Sequence, residues 1–211
     1  MPDDAAPWVP DHRSLPRLRE AADECRGCEL WADATQVVFS AGTRTARLML
    51  VGEQPGDVED REGEPFVGPA GRILDDALEQ AGIVRREVYL TNAVKHFRHE
   101  VRGKRRIHQK PAVGHISACR PWLAAEVATV RPEVVVCLGA TAGRAVLGRP
   151  VRVQQDRGRV LEPGEKAVPG VGAVVLTSHP SSVLRLRDRD ERHTAVDALV
   201  ADLRIAGNLD H

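Results

Sequence analysis

The stretch Arg47-Leu48-Met49-Leu50-Val51-Gly52-Glu53-Gln54-Pro55-Gly56 decides the fold. From Leu48 to Val51 every residue is apolar, with no polar alternation, which is the pattern of a parallel strand buried on both faces. It runs straight into a glycine-bounded turn. Open α/β sheets bind their ligands at the carboxyl ends of strands, beside such turns. The glycines need no explanation beyond a tight strand-to-helix turn. Glu53 and Gln54, polar side chains at a strand tip, are expected to serve a site.

Working outward, apolar runs at 88–92, 133–138 and 173–177 repeat the pattern. Helical periodicity separates them. Ile73, Leu74, Ala77, Leu78 and Ala81 share one face of a helix over 70–81, with Gly82 suited to its end. Further helices are expected after the cap residue Ser14, over 113–130 with Pro121 as a point of kinking, from Gly139 to Leu147, and over 192–206. Residues 151–170 are polar and rich in Gly and Pro, with room for a hairpin. Strands alternating with helices predict a three-layer α/β/α sandwich around a mostly parallel four-stranded sheet. Glu53, Asn92 and His179 each fall at or just beyond a strand end, along one edge of that sheet.

The chain has 211 residues, 42% of them hydrophobic, so one globular domain over 1–211 is expected, with 1–13 as a mobile tail. No apolar run approaches the ~20 residues of a membrane-spanning helix. The acidic N-terminus lacks a signal peptide's apolar core, so a cytoplasmic protein without membrane contact, read as a monomer, is expected. Formal net charge is zero, and binding to nucleic acid must come from local clusters. The four cysteines are Cys25, Cys28, Cys119 and Cys137. Disulfides are disfavoured in a reducing cytoplasm, and the C-x-x-C pair points to a metal or cluster site.

One such charge cluster spans 95–110. It holds Lys95, Arg98, Arg102, Lys104, Arg105, Arg106 and Lys110, with Glu100 as its sole acid. It leaves directly from a strand tip, and it is expected as a DNA-binding loop that presents His108. Arg185, after the His179 tip, adds to the same phosphate-contacting set. His96, His99, His115 and His193 are assigned to packing or solvent. The convergent groups suit a nucleobase pocket: a ring to stack on the base, an amide to read its edge, an imidazole near a base oxygen and a carboxylate facing the sugar. N-glycosidic cleavage needs that division, because charge develops with opposite sign on base and sugar.

Four motifs resemble those of the iron–sulfur uracil-DNA glycosylases: Gly52-Glu53-Gln54-Pro55-Gly56, Pro65-Phe66-Val67-Gly68-Pro69-Ala70-Gly71, Thr91-Asn92 and His179-Pro180-Ser181-Ser182. The cysteines are similar in order and spacing to that family's cluster ligands. Gln54 in place of a small residue, and the inserted Lys104-Arg105-Arg106-Ile107-His108, are similar to the UdgX subfamily. The resemblance implies a DNA-repair enzyme that excises uracil from DNA and then bonds covalently to the abasic sugar; single strands are the expected preference, because extruding a base from them costs less. It implies His108 as nucleophile, Glu53 and Gln54 beside the sugar, and His179 at the base oxygen. Phe66 would stack on the base and Asn92 would bind its edge, with Gly52, Asp57 and Ser181 completing the substrate site. Lys104, Arg105, Arg106 and Arg185 would touch DNA. Cys25, Cys28, Cys119 and Cys137 would hold a 4Fe-4S cluster, with structural zinc as the alternative that spacing leaves open.

Two other readings stand beside this one. In the first, Glu53 activates water, His108 only orients the loop, and the enzyme turns over. In the second, the scaffold is a non-catalytic iron–sulfur protein that binds DNA or carries electrons.

Overall fold

The computed structural model describes residues 4–209. The three-layer α/β/α arrangement is present, and the sheet has six strands rather than four. In spatial order they are β1 (Ser40–Ala41), β3 (Tyr89–Asn92), β2 (Leu48–Gly52), β6 (Val134–Leu138), β8 (Ala173–Thr177) and β7 (Val160–Leu161). The central four are parallel, and β1 and β7 are antiparallel edges of two residues each. A two-residue strand carries no readable alternation, which is why both edges escape the sequence pattern.

The pleat sorts the core. Leu48 and Leu50 face one helical layer, and Met49 and Val51 face the other. On the Met49 side lie α1 (Leu15–Asp23), α4 (Val113–Val130) and α5 (Ala140–Leu147). On the Leu48 side, α3 (Pro69–Ala81) packs against α8 (Arg189–Gly207). Three short helices, α2 (Asp57–Glu62), α6 (Val153–Asp156) and α7 (Ser181–Leu184), occupy connections near the strand tips. The helix through Pro121 is continuous in α4.

Two expectations need correction here. Within the expected mobile tail, residues from Asp4 onward are built into the fold. Ala5 is buried, its N–H donates to Ala118 O at 2.8 Å, and a short 3-10 helix follows at Ala6–Trp8. Residues 1–3 of that expectation lie outside the described residues. Lys95, counted with the basic segment, is sealed in the core. Its Nζ donates to Glu126 Oε2 at 2.5 Å, and Glu126 Oε1 accepts from Tyr89 at 3.0 Å and Thr91 at 2.7 Å. A buried ion pair is tolerated only when its remaining atoms are hydrogen-bonded. These bonds tie β3 to α4.

Candidate active site

The carboxyl ends of the central strands open onto a cavity of about 1050 Å³. Glu53 and Gln54 enter it after β2, Asn92 at the end of β3, Gly139 and Thr141 after β6, and His179 and Ser181 after β8. Phe66 and Asp57 join from the segment after β2, and Leu184 and Arg185 form part of the rim. The expected convergence at one sheet edge is therefore observed as geometry.

Phe66 and Asn92 are placed by a missing side chain. A Cβ on Gly52 would lie 2.3 Å from Asn92 Oδ1 and 2.6 Å from the Phe66 ring, so glycine at 52 makes room for both. Gly52 itself is absent from the cavity lining. Phe66 is buried and holds φ 59, the left-handed region that costs a bulky residue roughly 1–3 kcal/mol. Such outliers cluster at functional sites. Its ring lies 6.5 Å from that of His179, with 29° between the planes.

His179 has a defined tautomer. Ser181 N–H donates to His179 Nδ1 at 3.1 Å, and Ser181 Oγ lies 2.8 Å from the same nitrogen. An Nδ1 that accepts leaves the proton of the neutral ring on Nε2. Burial lowers the pKa to about 4; Glu53 opposes that shift, while His108 and Arg185 add to it. His179 is thus a neutral donor at ordinary pH.

The basic segment is not a loop. It forms a β-hairpin of β4 (His99–Arg102) and β5 (Arg105–His108), turned at Gly103 and Lys104, with His99 opposite His108. Gly103 has φ 60, the positive value that a two-residue hairpin turn uses. Gln54 fastens its base. The Gln54 amide donates to Arg98 O at 3.1 Å and Gln109 O at 3.2 Å, and its Oε1 accepts from Arg98 N–H at 3.2 Å. Gln54 is therefore a hairpin clamp that also lines the cavity. Arg106 fastens the middle, donating to Asp57 Oδ1 at 2.5 Å, Asp60 Oδ2 at 2.6 Å and Thr35 Oγ1 at 2.9 Å. This corrects one assignment: Arg106 is spent on carboxylates rather than free for phosphate. Asp57 holds Arg106 and also lines the cavity. Lys104 and Arg105 remain exposed at the turn.

His108 ends this hairpin with its side chain half exposed and its Nε2 3.6 Å from Glu53 Oε1. Its ring centroid is 6.1 Å from that of the buried Phe97, which His99 stacks at 4.9 Å and Arg106 overlies at 5.4 Å. Burial lowers the pKa of His108, Glu53 opposes this, and Arg185 adds to it. Arg185 is thus a cation that disfavours the charged ring.

The sequence reading overlooked Phe97, Asp60, Glu59 and Thr141. Glu59 accepts from Gly56 N–H at 3.1 Å and Gly68 N–H at 2.8 Å, joining the two turns that flank Phe66. Thr141 had a usable signal: Gly139-Ala140-Thr141 follows a strand in the same manner as Gly52-Glu53-Gln54.

The cysteines divide. Burial raises Cys119 to about 12; Lys95 opposes this, and the thiols of Cys28 and Cys25 add to it. Trp122 N–H donates to Cys25 Sγ and Lys95 N–H to Cys119 Sγ, each at 3.3 Å. Donors aimed at sulfur suit thiolates that ligate a metal. Cys137 does not belong to this group. It sits in mid-sheet on β6, and burial alone raises its pKa, with no contribution from the other three thiols. The four-cysteine set therefore does not fit one cluster, and no step of the chemistry is routed through it. Among the described residues no three His, Cys, Asp or Glu side chains stand at metal-holding spacing. His96, next to Lys95, is buried and its pKa is lowered to about 4, by burial first and Arg26 second. Nor, among the described residues, is any helix long and apolar enough to cross a membrane.

Comparison with known proteins agrees with this geometry. Residues 39–204 match the uracil DNA glycosylase superfamily. A type-4 uracil-DNA glycosylase of Thermotoga maritima is 34% identical over 183 residues, covering 85% of this chain and 88% of that protein. One of Archaeoglobus fulgidus is 32% identical, covering 76% of this chain and 78% of its own length. One of Pyrobaculum aerophilum is 31% identical, covering 81% and 85%. With the strand-tip cavity and these matches together, the chain belongs to the uracil DNA glycosylase superfamily.

Proposed function

We propose that the protein excises uracil from DNA and then joins His108 to C1′ of the abasic sugar, as the UdgX-type resemblance implies. The extruded base enters between Phe66 and the strand tips; extrusion costs a few kcal/mol, least from single strands. The C1′–N1 bond breaks and its electron pair leaves with the base. His179 Nε2–H donates to the base oxygen on which that charge collects. Glu53 faces the cationic sugar, and unit charges ~4 Å apart interact by about 4 kcal/mol at an effective dielectric of ~20. The lone pair of neutral His108 Nε2 then bonds to C1′. The resulting imidazolium loses its Nδ1 proton to solvent, and the departing uracil anion takes one up. Lys104, Arg105 and Arg185 contact phosphates.

The observation that carries this reading is the 3.6 Å approach of His108 Nε2 to Glu53 Oε1. It brings the imidazole proposed as nucleophile beside the carboxylate that would face the sugar. Incubation with single-stranded DNA containing one uracil tests it. A protein–DNA band surviving denaturation is expected, absent in His108→Ser while free uracil is still released. Multiple turnovers without that band would support water activation by Glu53 instead. Neither product would leave a non-catalytic DNA-binding protein. For the cofactor, the support is the N–H donors aimed at the sulfurs of Cys25 and Cys119; visible absorbance distinguishes an iron–sulfur group there from colourless zinc.

A further inference from the structure

We propose that Thr141 is a positioning residue that sets the orientation of Glu53. This rests on the glycosylase reading above. The Thr141 hydroxyl donates to Glu53 Oε2, while Glu53 Oε1 faces His108. The two oxygens of one carboxylate are thereby given separate tasks: one is anchored and one is presented to the reaction. Thr141 is buried and sits in the first turn of α5. The chain reaches it through Gly139, whose φ of 93 swings β6 into that helix. A Cβ on Gly139 would come within 3.2 Å of His179 Cβ, so the same glycine lets α5 and His179 approach each other.

Glu53 follows β2, emerging from a turn, and among the described hydrogen bonds Thr141 is the side chain that holds it. A carboxylate on a turn samples several rotamers, and a third group that orients the acting one is a recurrent device in catalytic sites. The anchored oxygen also fixes which lone pairs remain to face a cationic sugar. Thr141 touches neither base nor sugar in this account, and its effect passes entirely through Glu53.

The test is a double-mutant cycle on single-turnover uracil release. Thr141→Val keeps the shape and removes the hydroxyl. A lost hydrogen bond to a charged group predicts a fall of about tenfold. Thr141→Ser restores the rate. In a Glu53→Gln background, Thr141→Val has no further effect, because the carboxylate charge that it orients is gone. The share of adduct per uracil released is unchanged in Thr141→Val, unlike in His108→Ser. Thr141→Val running at the wild-type rate overturns the proposal, as does a serine variant no better than valine. Full additivity with Glu53→Gln overturns it too. A wild-type chain that releases no uracil overturns the glycosylase reading and this one together.

Discussion

The cavity holds two histidines in opposite ways. His179 follows a central strand, is nearly buried, and has its tautomer fixed by the Ser181 N–H two residues on. His108 ends a two-stranded hairpin outside the main sheet, half exposed, and is kept in place by Gln54, Arg106 and Phe97. An isolated two-stranded hairpin is marginal in water, so these ties supply what a core supplies for His179. Under the proposed mechanism the difference separates two duties. A donor to developing charge must stand where the scaffold is rigid. A group that acts after bond breaking can stand on an added element, provided that element is pinned.

The comparison can be broken from the rigid side first. His179→Asn removes the neutral donor, and uracil release should fall about a hundredfold or more, taking adduct formation with it. A rate within a few-fold of wild type in quenched single-turnover assays would contradict the role given to the strand tip. The pinned side should respond differently. Gln54→Ala releases the hairpin base, and adduct formation should slow by about tenfold while release stays within about twofold. Equal losses in both would mean that Gln54 serves the rigid site instead.

The smallest effect is on pH. Burial, with Arg185 adding and Glu53 opposing, holds His108 below the usual imidazole value of 6.5. A protonated imidazole has no lone pair to give. Adduct formation should therefore be flat above pH 6.5 and be lost as pH falls through the lowered pKa, with its midpoint below 6.5. His179, at about 4, keeps its neutral form across most of that window. Arg185→Ala should move the midpoint upward, read from adduct yield against pH. A midpoint at or above 6.5 in the wild type would contradict the stated balance of burial and charge.

Much of the rigid side was legible in the sequence. Parallel strands are apolar on both faces, so their ends are marked by the return of polar residues, and Glu53, Asn92 and His179 lie within two residues of those ends. The pinned side was harder to read. In 99–108 both faces of the hairpin meet solvent over much of their length, so no apolar alternation survives, and the charges read as a loop. Sequence also treats every arginine in a cluster alike. Arg106 is distinguished by Asp57, Asp60 and Thr35, far away along the chain. The cysteine count misled in a similar way: Cys137 completes a set of four on paper, yet it stands in an unbroken apolar run, after Val134, Val135 and Val136 and before Leu138, which marks it as a packed strand residue. That reading requires the sheet register, which places Cys137 beside Val51 and Leu176.

The N-terminal segment carries a consequence for the order of assembly. A Cβ on Gly27, inside the C-x-x-C turn, would lie 2.8 Å from the backbone of Asp4 and Ala5, so this segment is laid directly over the turn. Ala5 is held there by Ala118, in the helix that also carries Cys119. During synthesis the early residues emerge first, and that bond cannot form until residue 118 has been made. Cys25 and Cys28 thus leave the ribosome uncovered and stay so until α4 arrives.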